Sequence, residues 1–84
     1  MSRQEIAENL HAHGVFPTPQ RLDVAELLLK RPQHLSADQI IEKLRANGRG
    51  VSKATVYNSL KLFINKGLIK EISVANSRRF YDST

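Results

Sequence analysis

The chain has 84 residues, 40% of them hydrophobic, and a formal charge of +5 from 13 Lys and Arg against 8 Asp and Glu. A domain of this length buries roughly 60 to 65% of its unfolded surface, which supports one small core and excludes two. With no cysteine in the sequence, disulfides, thiolate metal sites and cysteine nucleophiles are excluded, and the composition suits a reducing compartment.

Four helices announce themselves by their start and stop signals. "SRQEIAENLHAHG" opens on Ser2 and Glu5 in capping-box spacing, sets Ile6 and Leu10 one turn apart and stops at Gly14. "TPQRLDVAELLLKRP" offers Thr18 as N-cap, Pro19 at the first helical position and Pro32 as the closing residue. Its apolar residues Leu22, Val24, Ala25, Leu27, Leu28 and Leu29 cover most of the circumference, so this second helix is expected at the centre of the core. "SADQIIEKLRANG" repeats the grammar with Ser36 and Gln39, an inner face of Ile40, Ile41 and Leu44, and a stop at Asn47-Gly48.

The fourth helix, "SKATVYNSLKLFINKG", is capped by Ser52 and ended by Gly67. Two β-prone segments follow, "LIKEISV" and "RRFYDST", joined by the polar "ANS", and they read as a hairpin although Leu68 and Ile69 break strict alternation. Four helices followed by a two-stranded β-hairpin match a mainly α, winged helix-turn-helix fold, with the fourth helix (about 52–66) as the reader and the third as its support. The link "NGRGV" is longer than a minimal helix-turn-helix turn.

Charge is unevenly spread. Residues 1–50 carry seven Lys or Arg against six Asp or Glu, a net +1, and residues 51–84 carry six against two, a net +4. A positive surface concentrated in one third of the chain suits a polyanion, or simply keeps the protein in solution. At about 100° per residue, Val56, Leu60 and Phe63 fall in one inward stripe of the fourth helix, while Ala54, Asn58, Lys61 and Asn65 fall opposite, with Tyr57 on the flank. A groove reader needs a small residue for close approach, an amide for paired bonds to adenine and a ring for a thymine methyl, and Ala54, Asn58 and Tyr57 have those chemistries. Lys53 and Lys61 suit phosphates, and Ser52 and Thr55 add hydroxyls at the helix's positive end. Periodicity alone leaves the alternatives open: Tyr57 as a ring packed on the core edge, Asn58 and Lys61 as ordinary solvated surface.

"ATVY" after a short polar lead resembles the recognition-helix signature of the ferric-uptake-regulator family of bacterial metal- and peroxide-responsive repressors. "TPQR" (Thr18 to Arg21), "HLSAD" (His34 to Asp38) and "KGLI" (Lys66 to Ile69) are similar to that family's segments in order and spacing, so the likeness covers Gly14 to Asp82. It implies that residues 1–84 form a winged-helix DNA-binding domain, with a C-terminal dimerisation and metal-sensing domain expected beyond this chain. It also implies that Tyr57 meets a thymine, that Asn58 reads bases or phosphate, and that Thr55 and Arg21, with Gln20 as a lesser candidate, contact the DNA backbone. Arg78 and Arg79 in the wing are implied phosphate contacts. Members with iron-regulator character commonly carry arginine at the position of Asn58, which here is more like the peroxide-sensing branch. Phe16 departs from the pattern, since the family often has Lys or Arg there to enter a minor groove, and it is left out of the contact set.

His11 and His13, spaced i, i+2 on a helix, point about 200° apart and make a poor metal pair. The resemblance singles out His34 and Asp82 instead, as two donors of a regulatory site completed by the missing domain. Imidazole with carboxylate suits divalent iron, manganese or zinc, and two donors do not hold such an ion by themselves. The expected partner is double-stranded DNA, bound at an AT-rich inverted repeat by a homodimer of the full-length protein, this fragment alone being monomeric and without a cofactor. The competing reading is a winged helix used as a protein-interaction module with only non-specific DNA affinity. An enzyme is not expected, because the sequence carries no nucleophile-and-base motif and no Gly-rich phosphate loop. No apolar run approaches the roughly 20 residues that span a bilayer, and the start of the chain lacks the order of a secretory signal, so a cytoplasmic location is expected.

Overall fold

A computed structural model describes residues 2–29, 34–74 and 78–82. The order is α1 (Arg3–Ala12), α2 (Pro19–Leu29), β1 (His34–Leu35), α3 (Ala37–Ala46), α4 (Lys53–Asn65), β2 (Lys70–Val74) and β3 (Arg78–Asp82). The expected four helices and hairpin are all present, and α2 packs against α1, α3 and α4, as its nearly continuous apolar surface requires. The expected helix stop at Pro32 lies outside the described residues.

Each helix begins where its cap dictates. The Glu5 amide donates to Ser2 Oγ at 3.2 Å while the Ser2 amide donates to Glu5 Oε1 at 3.0 Å. Ser36 and Gln39 repeat this exchange at 3.2 and 2.9 Å. Thr18 Oγ1 accepts from the Arg21 amide at 3.3 Å, starting α2 behind Pro19. Helix α4 stops where Gly67 takes φ 79°, a left-handed conformation that costs a residue with a Cβ about 1 to 2 kcal/mol. This lets the Gly67 amide donate to Ile64 O at 3.1 Å and the Leu68 amide to Phe63 O at 2.9 Å. Gly48, at φ 72°, ends α3 in the same way, with the Arg49 amide donating to Leu44 O at 2.8 Å.

The core is a single cluster. Ile6 and Leu10 of α1, Val24, Ala25 and Leu28 of α2, Ile40 and Leu44 of α3, and Val56, Leu60 and Phe63 of α4 are buried together. Leu68 and Ile69 join them, and β2 starts only at Lys70, so the pair that breaks the alternation lies before the strand.

The sheet has one more strand than the hairpin. Its order is β1-β3-β2, antiparallel throughout, with His34 opposite Asp82 and Leu35 opposite Tyr81, and with Lys70 to Val74 opposite Asp82 to Arg78. Leu35 and Tyr81 are both buried, which explains why so short a strand pairs at all. The wing is therefore joined to the entry of α3 through β3.

An ionic cluster ties the helices from outside the core. Arg3 Nη1 donates to Asp23 Oδ1 at 3.1 Å and Glu26 Oε1 at 2.9 Å, and Arg49 Nη1 donates to the same Asp23 Oδ1 at 2.9 Å and to Glu26 Oε2 at 3.2 Å. Hydrogen bonding to Glu26 raises the Arg3 pKa against the opposing pull of burial, with Asp23 adding to it, so Arg3 stays charged at every working pH.

Two outcomes follow from this packing and capping. Phe63→Ala should cost about 3 to 5 kcal/mol, read from chemical denaturation, because the ring is fully enclosed. The caps of α1 and α3 should separate in acid. Hydrogen bonds from the Ser2 backbone and side chain lower the Glu5 pKa, so its contribution is complete above the unfolded carboxyl's pKa and is lost as pH falls through the lower, folded one. Gln39 does not titrate. Amide exchange should therefore rise at the first turn of α1 but not of α3 as pH is taken below the ordinary carboxylate range.

Candidate nucleic-acid interface

Because Val56, Leu60 and Phe63 point into the core, helical geometry turns the other side of α4 outward. Ala54, Tyr57, Asn58, Lys61 and Asn65 are all exposed there, with no acidic residue among them. Tyr57, at 43% exposure, is not a ring sealed against the core edge. Lys53 Nζ lies 5.9 Å from its ring centroid, a cation–π contact that steadies both side chains on the surface.

The first turn of α4 is closed by hydroxyls. Ser52 Oγ accepts from the Thr55 amide at 3.2 Å and shares a hydrogen bond with Thr55 Oγ1 at 2.8 Å. The two amides before that of Thr55, those of Lys53 and Ala54, have no intrahelical acceptor, so the helix presents a positive end beside an exposed lysine.

The start of α2 reaches the flank of α4. Thr18, Gln20, Arg21, Thr55, Asn58 and Ser59 line one polar cleft between the two helices. Arg21 Nη1 donates to the Phe16 carbonyl at 2.9 Å in an exposed contact, so its guanidinium is held at the mouth of the link before α2. Gln20, Arg21, Thr55 and Asn58 are thus brought together, Ser52, Lys53, Ala54 and Tyr57 share the first turns of α4, and Lys61 lies one turn beyond. Thr18 and the buried Ser59 belong to the cleft but stand out in the sequence only as a cap and a small polar residue. No local pattern says which helix a serine will face. Phe16 is 73% exposed.

Arg78 and Arg79 lie at the start of β3, opposite Val74 and Ser73. His34 and Asp82 are register partners across β1 and β3, so the backbone brings these two proposed donors to adjacent positions. Among the described residues, no group of three or more His, Cys, Asp or Glu forms a metal-holding cluster. His13 Nδ1 donates to the Asn9 carbonyl at 2.8 Å, a local contact at the C-terminal end of α1. No described helix is long and apolar enough to cross a membrane.

A helix pair with an exposed, acid-free second helix, flanked by a β-hairpin, is a winged helix-turn-helix. The chain belongs to the ferric uptake regulator family, whose model matches residues 12–84. It is 37% identical over 79 residues to the peroxide operon regulator of Bacillus subtilis, covering 94% of this chain and 54% of that protein. It is 33% identical to the peroxide-responsive repressor PerR of Staphylococcus aureus, covering 94% and 53%. The chain spans about half the length of the curated relatives it matches. Among solved structures, the ferric uptake regulator of Vibrio cholerae superposes with a TM-score of 0.85 at 26% identity, over 93% of this chain and 60% of that one. PerR from Streptococcus pyogenes superposes with a TM-score of 0.77 at 29% identity, over 96% and 56%.

The cap at Ser52 sets where this surface begins. Ser52→Ala should cost about 1 kcal/mol of unfolding free energy and Ser52→Gly only a few tenths, measured by urea denaturation.

Proposed function

We propose that this chain binds double-stranded DNA sequence-specifically, with α4 in the major groove, as the reading head of a bacterial metal- or peroxide-responsive transcriptional repressor. The observation that carries this reading is the outward side of α4, which is polar, basic and without acids, and which meets the polar cleft at the start of α2. Ala54 lets the helix backbone approach, the Asn58 amide makes paired hydrogen bonds to an adenine edge, and the Tyr57 ring lies against a thymine methyl. Lys53, Lys61 and Arg21 meet phosphates, Ser52, Thr55 and Gln20 add hydrogen bonds to the DNA backbone, and Arg78 and Arg79 carry the contact into the wing.

The names of the relatives support the regulatory part of the reading, since they include a peroxide operon regulator and a peroxide-responsive repressor. In the full-length protein, a second domain pairs two such heads on an AT-rich inverted repeat, so a single monomeric head binds weakly and gains affinity by linkage. His34 and Asp82 contribute an imidazole and a carboxylate to a divalent iron, manganese or zinc site, with the remaining donors supplied by that domain. Solved relatives include a PerR with zinc and a ferric uptake regulator of Francisella tularensis with iron. A cation held at His34 and Asp82 supplies a coordination link between β1 and β3. This reading has the whole protein working in the cytoplasm, where its DNA is.

Fluorescence anisotropy with an AT-rich inverted-repeat duplex and a scrambled duplex tests the reading. Asn58→Ala and Tyr57→Ala should each weaken the specific duplex by about tenfold, which is within the 1 to 3 kcal/mol expected of a base contact, and leave the scrambled one little changed. Lys61→Ala should weaken both alike and lower the salt slope by about 1. Equal loss on both duplexes for Tyr57→Ala and Asn58→Ala would remove the base-reading role. Binding that ignores duplex sequence in the unaltered chain would favour a protein-interaction module.

A further inference from the structure

The ionic cluster on α2 has a geometry that a simple surface tie does not need. Asp23 and Glu26, three residues apart, share one side of the helix, and their side chains are only 15% and 14% exposed. Arg3 and Arg49, 39% and 46% exposed, close over them from two distant parts of the chain. Two cations against two carboxylates leave the cluster neutral, so neither acid projects uncompensated charge toward a polyanion.

Arg49 is the informative member. Its amide is anchored to the end of α3 through Leu44 O at 2.8 Å, its guanidinium reaches α2, and it stands three residues before Ser52, the cap of α4. Helix α2 therefore acts on α4 from two sides: its first turn shares the polar cleft with Thr55 and Asn58, and its carboxylates hold the link from which α4 departs. We propose that Asp23 and Glu26 are positioning residues for base reading, which, by clamping Arg49, set the angle at which α4 is presented to the major groove. Arg3 neutralises the same carboxylates from the α1 side without touching the link.

The proposal rests on the DNA-reading function and makes a prediction opposite in sign to plain electrostatics. Removing an acidic charge from a DNA-binding protein should raise affinity for every duplex. Loosening the clamp should instead lower affinity for the preferred one. The probes are a duplex selected by the unaltered chain from a randomised pool and a scrambled duplex of the same length, read by anisotropy across a salt series.

Glu26→Gln and Arg49→Gln should each reduce the selected-to-scrambled affinity ratio by about three- to tenfold, which lies at the lower end of the coupling found within such networks. Arg49→Gln should leave the salt slope unchanged, and Arg3→Gln should leave the ratio unchanged. Amide spectra of Glu26→Gln should stay dispersed while the signals of residues 49–55 move. If that variant does not fold, the contrast between Arg49→Gln and Arg3→Gln decides the matter alone.

An unaltered ratio in Glu26→Gln and Arg49→Gln overturns the clamp. So does a salt slope lowered by about 1 in Arg49→Gln, which would put Arg49 directly on phosphate. Absence of any sequence preference in the unaltered chain is a different failure, since it removes the reading function and the clamp with it.

Discussion

Helix α4 has to satisfy two environments across a width of about 10 Å. One side completes the core with Val56, Leu60 and Phe63, and the other must stay soluble while presenting groups that a nucleic acid can use. Burial decides the rotation of the helix, because turning it by one residue would expose Phe63 and bury Lys61. The outward residues are thus aimed by the inward ones. Asn58 needs no contact of its own to be correctly directed; it needs Leu60 and Phe63 to be apolar and the right size.

Rotation about its axis leaves the tilt and start of α4 to be set, and both depend on α2. The buried residues of α2 face three helices, so its position is fixed by the core as a whole. Its polar residues then divide the remaining surface. Arg21 and Gln20 go to the cleft beside α4, while Asp23 and Glu26, about 200° and 140° around the helix from Arg21, receive Arg3 and Arg49. Exposed ion pairs contribute little stability individually, about 0 to 1 kcal/mol. Their geometric effect is larger where, as at Arg49, one residue joins three elements.

Much of this was legible because the sequence writes its helix ends in side-chain hydrogen bonds. Ser2 with Glu5, Ser36 with Gln39, Thr18 before Pro19 and Ser52 all cap the helices they announce, and Gly48 and Gly67 stop them. What was not legible depends on distance along the chain. Strand β1 has two residues, too few to show alternation, and pairs only because β3 arrives from residues 78–82 to cover Leu35 with Tyr81. Arg3 and Arg49 meet Asp23 and Glu26 across 20 to 26 residues, beyond any local pattern. Tyr57 sits between these cases, since the helical wheel put it on a flank and only the packing of the neighbouring helices leaves it exposed.

The same pairings refine the meaning of the net charge. The first 50 residues looked nearly neutral by count, seven cations against six anions, but a count does not say which charges are spent. Arg3 and Arg49 are committed to the two acids of α2, which silences those acids as well. Arg21, by contrast, is turned to the cleft, and among the described residues its guanidinium donates to a neutral carbonyl and to no carboxylate, so its charge remains uncompensated there. Arg21 thus contributes positive charge beside that of the exposed Lys53 and Lys61, on adjoining surfaces of α2 and α4. Pairing the acids inside the fold therefore separates two roles: Arg49, tied to Asp23 and Glu26, fixes the link that leads into α4, while cations outside the cluster keep their charge on the surface.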